Sequence, residues 1–140
     1  MSAVPPYALD EQIGFILRQV YQRHAVLFSE CFGEDFTPMQ WAVIAKLAET
    51  GECSQNMLGR QTAMDVATIK GVVERLMRRN LIETRPDNDD RRRLVVSLTA
   101  DGRAAYERWA GLAAGVSDET LAPLAPEERQ TLLRLLTQLR

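Results

Sequence analysis

The sequence predicts a mainly α-helical fold with one small β-hairpin. Apolar residues recur at three- and four-residue spacing over most of the 140 residues, which is the pattern of amphipathic helices. Two short β-prone runs, residues 81–85 and 93–98, flank a charged turn and predict the hairpin. With 46% hydrophobic and 26% charged residues, the chain can bury a core and does not have the composition of a disordered protein.

The first part of the chain predicts two helices. Residues 10–32 form one, because their apolar side chains follow helical spacing. Its apolar stripe consists of Ile13, Leu17, Val20, His24, Leu27 and Cys31. Thr37 is the N-cap of the next helix: Pro38 suits the first turn, and Gln40 stands three residues after Thr37, as in a capping box. Gly51 ends this helix.

A short helix, a tight turn and a longer helix are predicted next. Ser54 caps a helix over residues 55–62, and residues 63–65 form the turn. The longer helix covers residues 66–80 and stops at Asn80, which tolerates a left-handed backbone. Its predicted buried face consists of Ile69, Val72, Val73, Leu76 and Met77. Its outer face consists of Ala67, Thr68, Gly71, Glu74, Arg75 and Arg78, with Lys70 on the flank.

Two further helices complete the predicted chain. Thr99 caps a helix over residues 100–115, and the chain becomes helical again after Ser117, with Pro126 suiting the start of the last helix. Two short helices, a tight turn, a helix with a small and polar outer face, and a hairpin make a winged helix-turn-helix. We therefore expect a single domain whose three parts are a winged helix-turn-helix at residues 37–99 and helical dimerisation regions at 8–33 and 100–140 of the full range 1–140.

The net charge of −2 conceals an uneven distribution of charge. Residues 60–93 contain nine Lys and Arg against six Asp and Glu, whereas the rest of the chain contains eight against thirteen. Nearly all of these basic residues are arginine, whose guanidinium group can bind phosphate and base edges through two hydrogen bonds. A nucleic-acid partner is therefore compatible with an acidic overall charge.

The turn of the hairpin is the most highly charged segment. From Arg85 to Arg93, seven of nine residues are charged: four arginines and three aspartates. A solvated turn has no need of four guanidinium groups, and a loop-tip arginine can enter a narrow, negative DNA minor groove. A merely solvated hairpin is the alternative interpretation.

This segment resembles the wing of the MarR family of bacterial transcriptional regulators, in which an Asp-x-x-Asp-Arg-Arg turn precedes a Leu-Thr-x-x-Gly helix start. The matching residues are Asp87, Asp90, Arg91, Arg92, Leu98, Thr99 and Gly102. Residues 66–82 resemble the recognition helix of that family, although Asn80 stands where glycine is usual, and residues 36–47 resemble its second helix. The resemblance implies a homodimer that binds a pseudo-palindromic double-stranded operator, with helices in successive major grooves and wing arginines in the flanking minor grooves.

Within the wing, we expect Arg91 to reach the minor groove, and Arg92 and Arg93 are further candidate DNA contacts. The aspartates that shape the loop are expected to be Asp87 and Asp90. Their carboxylates would hold Arg92 or Arg93 in bidentate pairs, which would stiffen the loop.

Other candidate DNA contacts lie on the two helices before the wing. Ser54 and Gln55 are placed to donate to phosphate at a helix N-terminus. Arg78 and Arg79 either contact phosphate or complement the dipole at the end of their helix. On the recognition helix, the candidates for facing DNA are Ala67, Thr68, Lys70, Gly71 and Arg75.

The resemblance also implies a small effector, because MarR-like regulators bind small aromatic or phenolic anions in the crevice between the dimerisation helices and the winged domain. The first helix resembles that of members controlling the breakdown of aromatic acids. Arg18 would bind the carboxylate and His24 a hydroxyl, with Tyr21 on the same helix flank. Phe28 or Trp41 would form an apolar wall. A histidine in the apolar stripe is alternatively a core or dimer-interface residue.

The predicted function is therefore a ligand-responsive dimeric repressor of transcription. A thiol-based redox sensor is one alternative: Cys31 lies on the apolar stripe, where cysteine is usually inert, and Cys53 is expected in an exposed loop. A winged helix used only for protein–protein contact is another.

Catalysis, cofactors, metals and membranes are not expected. The chain has one histidine and lacks a Cys-x-x-Cys motif, a glycine-rich phosphate loop and a nucleophile elbow. His24, Glu30 and Cys31 do not have the spacing of metal ligands. No apolar run approaches the ~20 residues that span a bilayer, and no signal peptide is visible, so a cytoplasmic location is expected.

Overall fold

Six α-helices and three short β-strands make up residues 3–140, the part of the chain that the computed structural model describes. Residues 1 and 2 of the predicted domain lie outside it. The helices are α1 (Ile13–Phe32), α2 (Pro38–Thr50), α3 (Gln55–Gln61), α4 (Val66–Arg78), α5 (Ala100–Thr120) and α6 (Pro126–Gln138). The strands are β1 (Cys53–Ser54), β2 (Ile82–Pro86) and β3 (Leu94–Leu98). A 3-10 turn, Leu9–Glu11, precedes α1, which therefore begins three residues later than predicted.

The predicted helix caps are present. Thr37 Oγ1 accepts a hydrogen bond from the Gln40 N–H (3.1 Å), and the Thr37 N–H donates to Gln40 Oε1 (3.2 Å), so the capping box is closed. Ser54 Oγ accepts from the Met57 N–H, and Thr99 Oγ1 accepts from the Gly102 N–H. These bonds satisfy N–H groups that a helix start would otherwise leave unpaired.

The hairpin is part of a three-stranded sheet with the order β1-β3-β2. Both pairings are antiparallel: Thr84 lies opposite Val96 across the hairpin, and Ser54 lies opposite Val95 on the other side. The sequence did not predict β1, because two residues are too short to show an alternating pattern. Cys53 is consequently half-buried in a strand, and the prediction that it lies in an exposed loop is wrong.

The chain forms two compact units. Residues Phe32–Ala113 form one, called here the winged unit. Helices α2, α3 and α4 and strand β3 all contribute to its core: Val43, Ile44, Leu47, Leu58, Ile69, Leu76 and Val96 are at most 1% exposed. Beside them, an aromatic cluster consists of Phe32, Phe36, Trp41, Tyr106 and Trp109, with neighbouring ring centroids 5.0–6.4 Å apart.

The other compact unit, called here the terminal unit, joins the residues up to Cys31 with Ala114–Arg140. Its helices carry large apolar side chains that remain exposed in the single chain. On α1 these include Ile13, Leu17, Val20 and Val26; on α6 they are Leu132, Leu133 and Leu135, and Leu139 follows the end of that helix. The two units divide the chain on packing alone, so the predicted functional regions at 8–33, 37–99 and 100–140 stay a prediction.

Two further expectations are corrected. The helix predicted to end at residue 115 continues to Thr120, because Arg23 donates to the carbonyl oxygens of Glu119 (2.8 Å) and Thr120 (2.6 Å) and so stabilises an additional turn. Met77, predicted on the buried face of α4, is 41% exposed. Its position at the edge of the apolar stripe leaves its sulfur 3.8 Å from Thr84 Oγ1 on the neighbouring strand.

Candidate nucleic-acid interface and effector residues

The outer face of α4 carries the predicted polar and small side chains. Ile69, Val72, Val73 and Leu76 anchor the helix in the core. Their burial turns the opposite face outward. On that face, Ala67, Lys70, Glu74, Arg75 and Arg78 are exposed, and Thr68 and Gly71 are half-buried.

Asp65 begins α4 and orders its first turn. Its Oδ1 accepts a hydrogen bond from the Thr68 N–H at 2.8 Å. The backbone N–H of Thr68, and then its side chain, hold the pKa of this carboxyl below its usual range. The sequence places this aspartate in the turn but does not identify it as the cap.

Gly71 leaves open space on the outer face of α4. A Cβ at this position would lie 3.7 Å from Arg75 Nη1 and within 4 Å of no other group outside its own helix surroundings. That distance is ordinary van der Waals contact, so the fold itself has no need of glycine here. The absence of a side chain instead lets Arg75, or a ligand, approach the helix backbone closely.

Three of the four arginines in the charged turn are held by carboxylates. Arg85 Nη2 donates to Glu52 Oε1 at 2.8 Å, which ties the base of the hairpin to the segment before β1. Asp90 receives two hydrogen bonds from the Arg92 guanidinium, from Nε at 3.1 Å and from Nη2 at 3.3 Å. Arg93 Nε lies 3.8 Å from Asp90 Oδ2. The prediction that Asp90 forms a bidentate pair is confirmed.

Asp87 does not hold an arginine, contrary to prediction. Its Oδ1 accepts the N–H of Asp89 at 2.8 Å, and its own N–H donates to the Arg93 carbonyl at 2.9 Å. A two-residue side-chain-to-backbone bond is the usual way in which aspartate closes a turn, and it points the carboxylate into the loop. Asp87 therefore shapes the backbone, and of these two aspartates Asp90 is the one that pairs with arginines.

Arg91 differs from its two neighbours. It is exposed at the tip of the turn, and no hydrogen bond or ion pair engages its guanidinium within residues 3–140. Arg92 is also exposed, with 91% of its side chain accessible, but its guanidinium is committed to Asp90. Arg91 is thus the arginine that can enter a groove without breaking an existing pair.

The start of α3 and the base of the wing share a small surface cavity of about 100 Å³. It brings together Ser54, Gln55, Arg92 and Arg93, which were predicted separately as phosphate or groove contacts. Asn56 also lines it, and no sequence pattern pointed to this residue. The Ser54 hydroxyl oxygen accepts a bond from Met57, so its hydrogen remains available to donate.

Arg79 is engaged within the winged unit. It donates to the Asp35 carbonyl at 2.6 Å, and its guanidinium lies 4.7 Å from the centre of the Phe36 ring. These contacts identify it as a structural residue. Asn80 follows with φ = 58°, the predicted left-handed stop, while Arg78 is exposed on the outer face.

The predicted effector residues fall in both units. Arg18 and Tyr21 are exposed on α1, His24 is half-buried, and Phe28 is buried. The Tyr21 and His24 rings have centroids 6.1 Å apart. Trp41 belongs to the winged unit, where its ring stacks on Tyr106 with 5.9 Å between centroids and 12° between planes.

His24 and its neighbour Arg23 both contact the end of α5. His24 Nδ1 lies 2.9 Å from Thr120 Oγ1, and Arg23 binds the carbonyl oxygens of Glu119 and Thr120. Neither Arg23 nor Thr120 was predicted as a functional residue from the sequence. These contacts join residues 96 and 97 positions apart, so no local pattern could have indicated them.

Neither cysteine is in an environment that favours the reactive thiolate. Burial, followed by the Glu119 carboxylate, raises the pKa of the Cys31 thiol. Burial also raises the pKa of Cys53.

In residues 3–140, no group of three or more His, Cys, Asp and Glu side chains is arranged to hold a metal ion. Within the same residues, no helix has the length and apolarity needed to cross a membrane.

Known proteins with similar sequences decide the family. Residues 34–93 match the sequence profile of the MarR family. The HTH-type transcriptional repressor NicR of Pseudomonas putida is 37% identical over 135 residues, which cover 96% of this chain and 85% of NicR. The chain belongs to the MarR family.

Solved structures agree with this assignment to the MarR family. A probable transcriptional regulator from Pseudomonas aeruginosa is 54% identical, with 95% of this chain and 100% of that chain covered and a TM-score of 0.91. BpsR of Bordetella bronchiseptica, solved in a study of how 6-hydroxynicotinic acid regulates its DNA binding, is 38% identical, with 96% of each chain covered and a TM-score of 0.92. In this MarR-family chain, α3 and α4 are accordingly the helix-turn-helix, and β2 and β3 are the wing.

Proposed function

We propose that this protein is a dimeric, ligand-responsive repressor of transcription that binds a pseudo-palindromic operator and is released by a small aromatic or phenolic acid. The observation that carries the DNA-binding part is the wing: Asp90 commits Arg92 and Arg93, which leaves Arg91 unpaired at the tip. Its family relationship to the repressor NicR supports the regulatory part.

The recognition helix would lie in the major groove. A groove about 12 Å wide admits an α-helix, and the small side chains of Ala67 and Gly71 would let the backbone of α4 approach the bases. Thr68, Lys70 and Arg75 would supply hydrogen bonds from the same face. Lys70 and Arg75 are exposed and available, which supports these assignments.

The wing would flank the helix in the minor groove. Arg91 would insert there, where the potential is most negative when the groove is narrow. Arg92 and Arg93 face the same cavity as Ser54 and Gln55, so these four residues would hold the intervening phosphates. Arg79 is left out of the interface because it is bound to Asp35.

The dimer would form through the terminal unit. The exposed apolar side chains of α1 and α6 need burial, and a second copy of the chain would supply it. Two recognition helices about 34 Å apart would then meet successive major grooves.

The effector would bind at the residues predicted on α1. Arg18 would bind the carboxylate, and His24 would hydrogen-bond a ring substituent, with Tyr21 and Phe28 as aromatic neighbours. A relative, BpsR, has its DNA binding regulated by 6-hydroxynicotinic acid, which carries both groups. Trp41 stays a predicted wall of this site. A ligand that shifts the separation of the recognition helices by a few ångströms would weaken both half-sites together.

The same proposal places the protein in the cytoplasm and assigns it no catalytic activity. The redox alternative is disfavoured because the pKa values of both thiols are raised, which leaves little thiolate to react with an oxidant.

The test is a fluorescence-anisotropy titration of the protein against the intergenic DNA upstream of its own gene, over a salt series, with Arg91→Ala and Arg103→Ala as matched variants. Both arginines are exposed, and each change removes one positive charge, but Arg103 lies on α5 outside the wing. We expect tight, salt-dependent binding by the wild type and by Arg103→Ala. Arg91→Ala should bind about tenfold or more weakly, with a smaller salt slope.

Equal weakening by both variants would contradict a specific role for Arg91. If the wild type bound no duplex better than random DNA, including DNA selected from the whole genome, the protein–protein alternative would replace the repressor. Release of the bound operator by aromatic acids is measured in the same assay.

A further inference from the structure

The protein contains a single histidine, and its hydrogen bond defines which ring nitrogen carries the proton. His24 Nδ1 lies 2.9 Å from Thr120 Oγ1. The Thr120 hydroxyl in turn lies 2.8 Å from the Val116 carbonyl oxygen, to which it donates. A hydroxyl has one hydrogen, and that hydrogen is used by Val116.

It follows that Thr120 Oγ1 accepts the bond from His24. If the hydroxyl pointed its hydrogen at the ring instead, two oxygen acceptors would face each other 2.8 Å apart with no hydrogen between them. The neutral ring therefore carries its hydrogen on Nδ1. In water, by contrast, neutral imidazole side chains prefer to carry the hydrogen on Nε2.

The other nitrogen is then an acceptor. His24 Nε2 has no hydrogen-bond partner among residues 3–140, and in the Nδ1–H form it carries only a lone pair. The bond at Nδ1 orients the ring, and the neighbouring Arg23 binds two carbonyl oxygens at the same end of α5. The hydrogen bonds of His24 and Arg23 thus join α1 to the end of α5, and Nε2 remains the acceptor of the ring.

We propose that Thr120 is a positioning residue that fixes His24 in the Nδ1–H tautomer, and that this tautomer selects aromatic acids carrying a hydrogen-bond donor on the ring. The proposal rests on the proposed function, in which His24 meets the effector. An unsubstituted aromatic acid offers Nε2 no hydrogen and leaves the acceptor unpaired. A ring hydroxyl, or the N–H of a pyridone, pairs with it.

The tautomer is measured without any ligand. With one histidine in the chain, ¹⁵N-labelled imidazole gives a single set of ring signals, recorded at about pH 8, above the range in which histidine usually titrates. We expect the Nδ1–H form in the wild type and in Thr120→Ser, which keeps the hydroxyl. Thr120→Val should restore the Nε2–H form. An Nε2–H signal in the wild type would overturn the proposal.

Thr50→Val is a matched control for the loss of a helix-terminal threonine. Thr50 is also the last residue of its helix, and its hydroxyl donates to the carbonyl four residues earlier, at 2.9 Å. It lies in the winged unit, so the tautomer of His24 should not change. A change there would show that the signal reports general destabilisation, and it would overturn the role assigned to Thr120.

Selectivity is measured by calorimetric titration with 6-hydroxynicotinic acid and with nicotinic acid, which lacks the ring oxygen and with it the ring's hydrogen-bond donor. We expect the wild type and Thr120→Ser to prefer the hydroxylated acid by about five- to tenfold or more. Thr120→Val should lose most of this preference. An unchanged ratio of the two dissociation constants in Thr120→Val would overturn the selectivity.

Failure of the two proposals can be told apart. If the wild type bound neither acid but showed the Nδ1–H signal, the tautomer assignment would stand, and both its role in selection and the effector part of the proposed function would be overturned. Operator binding, measured separately, would be unaffected by that result.

Discussion

At the scale of single residues, Gly71 allows the proposed DNA contact to be tested separately from the stability of the fold. Glycine in the middle of a helix costs about 1 kcal/mol relative to alanine. Because a Cβ at Gly71 would meet only Arg75, at 3.7 Å, we expect Gly71→Ala to raise the free energy of unfolding by up to about 1 kcal/mol and to weaken operator binding. Denaturant unfolding and anisotropy measure the two effects.

Gly111→Ala is the control for Gly71→Ala. Gly111 is exposed within α5, and a Cβ there would meet nothing within 4 Å. It should stabilise the protein by a similar amount and leave operator binding unchanged. Unaltered binding by Gly71→Ala would show that the glycine has no part in close approach to DNA.

Asp90 gives a second prediction at this scale. Asp90→Asn would release Arg92 and Arg93 from the loop, so we expect binding to random duplex to increase and the preference for the operator to fall several-fold. Asp89→Asn makes the same change in charge at an exposed neighbour. If both variants changed the preference equally, the effect would come from charge and not from the pairing.

The pH dependence of the wing follows from the same carboxylate. Hydrogen bonds from Arg92, first from its guanidinium, hold the pKa of Asp90 below its usual value of about 4. Because the folded-state pKa is lowered, the stabilisation is complete above the usual value and is lost only as pH falls through the lowered one. A carboxyl NMR titration should show Asp90 ionised when exposed aspartates are already protonated.

The wing arginines were predictable from the sequence, but which of them is unpaired was not. Three consecutive arginines, Arg91, Arg92 and Arg93, cannot be distinguished by residue type. They differ because the folded turn places Asp90 beside Arg92 and Arg93. In the same turn, the Asp87 carboxylate accepts a hydrogen bond from a backbone N–H instead of pairing with an arginine. Close-range choices of this kind depend on dihedral angles that residue types alone do not determine.

At the scale of secondary-structure elements, Gly102 fixes how α5 leaves the wing. A Cβ at this buried position would overlap the carbonyl oxygen of Leu81 and lie 3.1 Å from Leu98 Cδ2. The Leu81 carbonyl also accepts the Thr99 N–H, so it cannot move aside without losing that bond. We expect Gly102→Ala to lower the free energy of unfolding by about 1–3 kcal/mol in denaturant titration.

Gly115→Ala provides the comparison, since it lies in the same helix with no atom within 4 Å of the added Cβ. It should be neutral or stabilising. Destabilisation of equal size at both positions would show that the overlap with Leu81 is not its cause.

Helix starts were predictable because their signals are local, as the capping residues Thr37, Ser54 and Thr99 illustrate. Strand β1 and the last turn of α5 were not. Each depends on a partner distant in the chain: β3 for the strand, and Arg23 for the helix end.

At the scale of the whole molecule, operator binding should depend on the dimer. Leu133 is 52% exposed on α6, so Leu133→Glu would place a charge in the apolar surface of the terminal unit. We expect a monomer in analytical ultracentrifugation and a loss of operator affinity of about 100-fold or more, because two half-sites are no longer bound together.

Gln138→Glu is the control on the same helix, where a polar residue is already exposed. It should remain a dimer with unchanged affinity. A monomeric Leu133→Glu that kept full affinity would show that one chain suffices for recognition.

The order of the two units along the chain has a consequence for synthesis. The winged unit is one continuous segment, Phe32–Ala113, whereas the terminal unit needs residues from both sides of it. A ribosome adds about 5–20 residues per second, and domains generally fold as units while the chain emerges. The unit proposed to read DNA can therefore be complete before α6, which the unit proposed to form the dimer requires, has been synthesised. A nascent chain would acquire its recognition surface before it can pair.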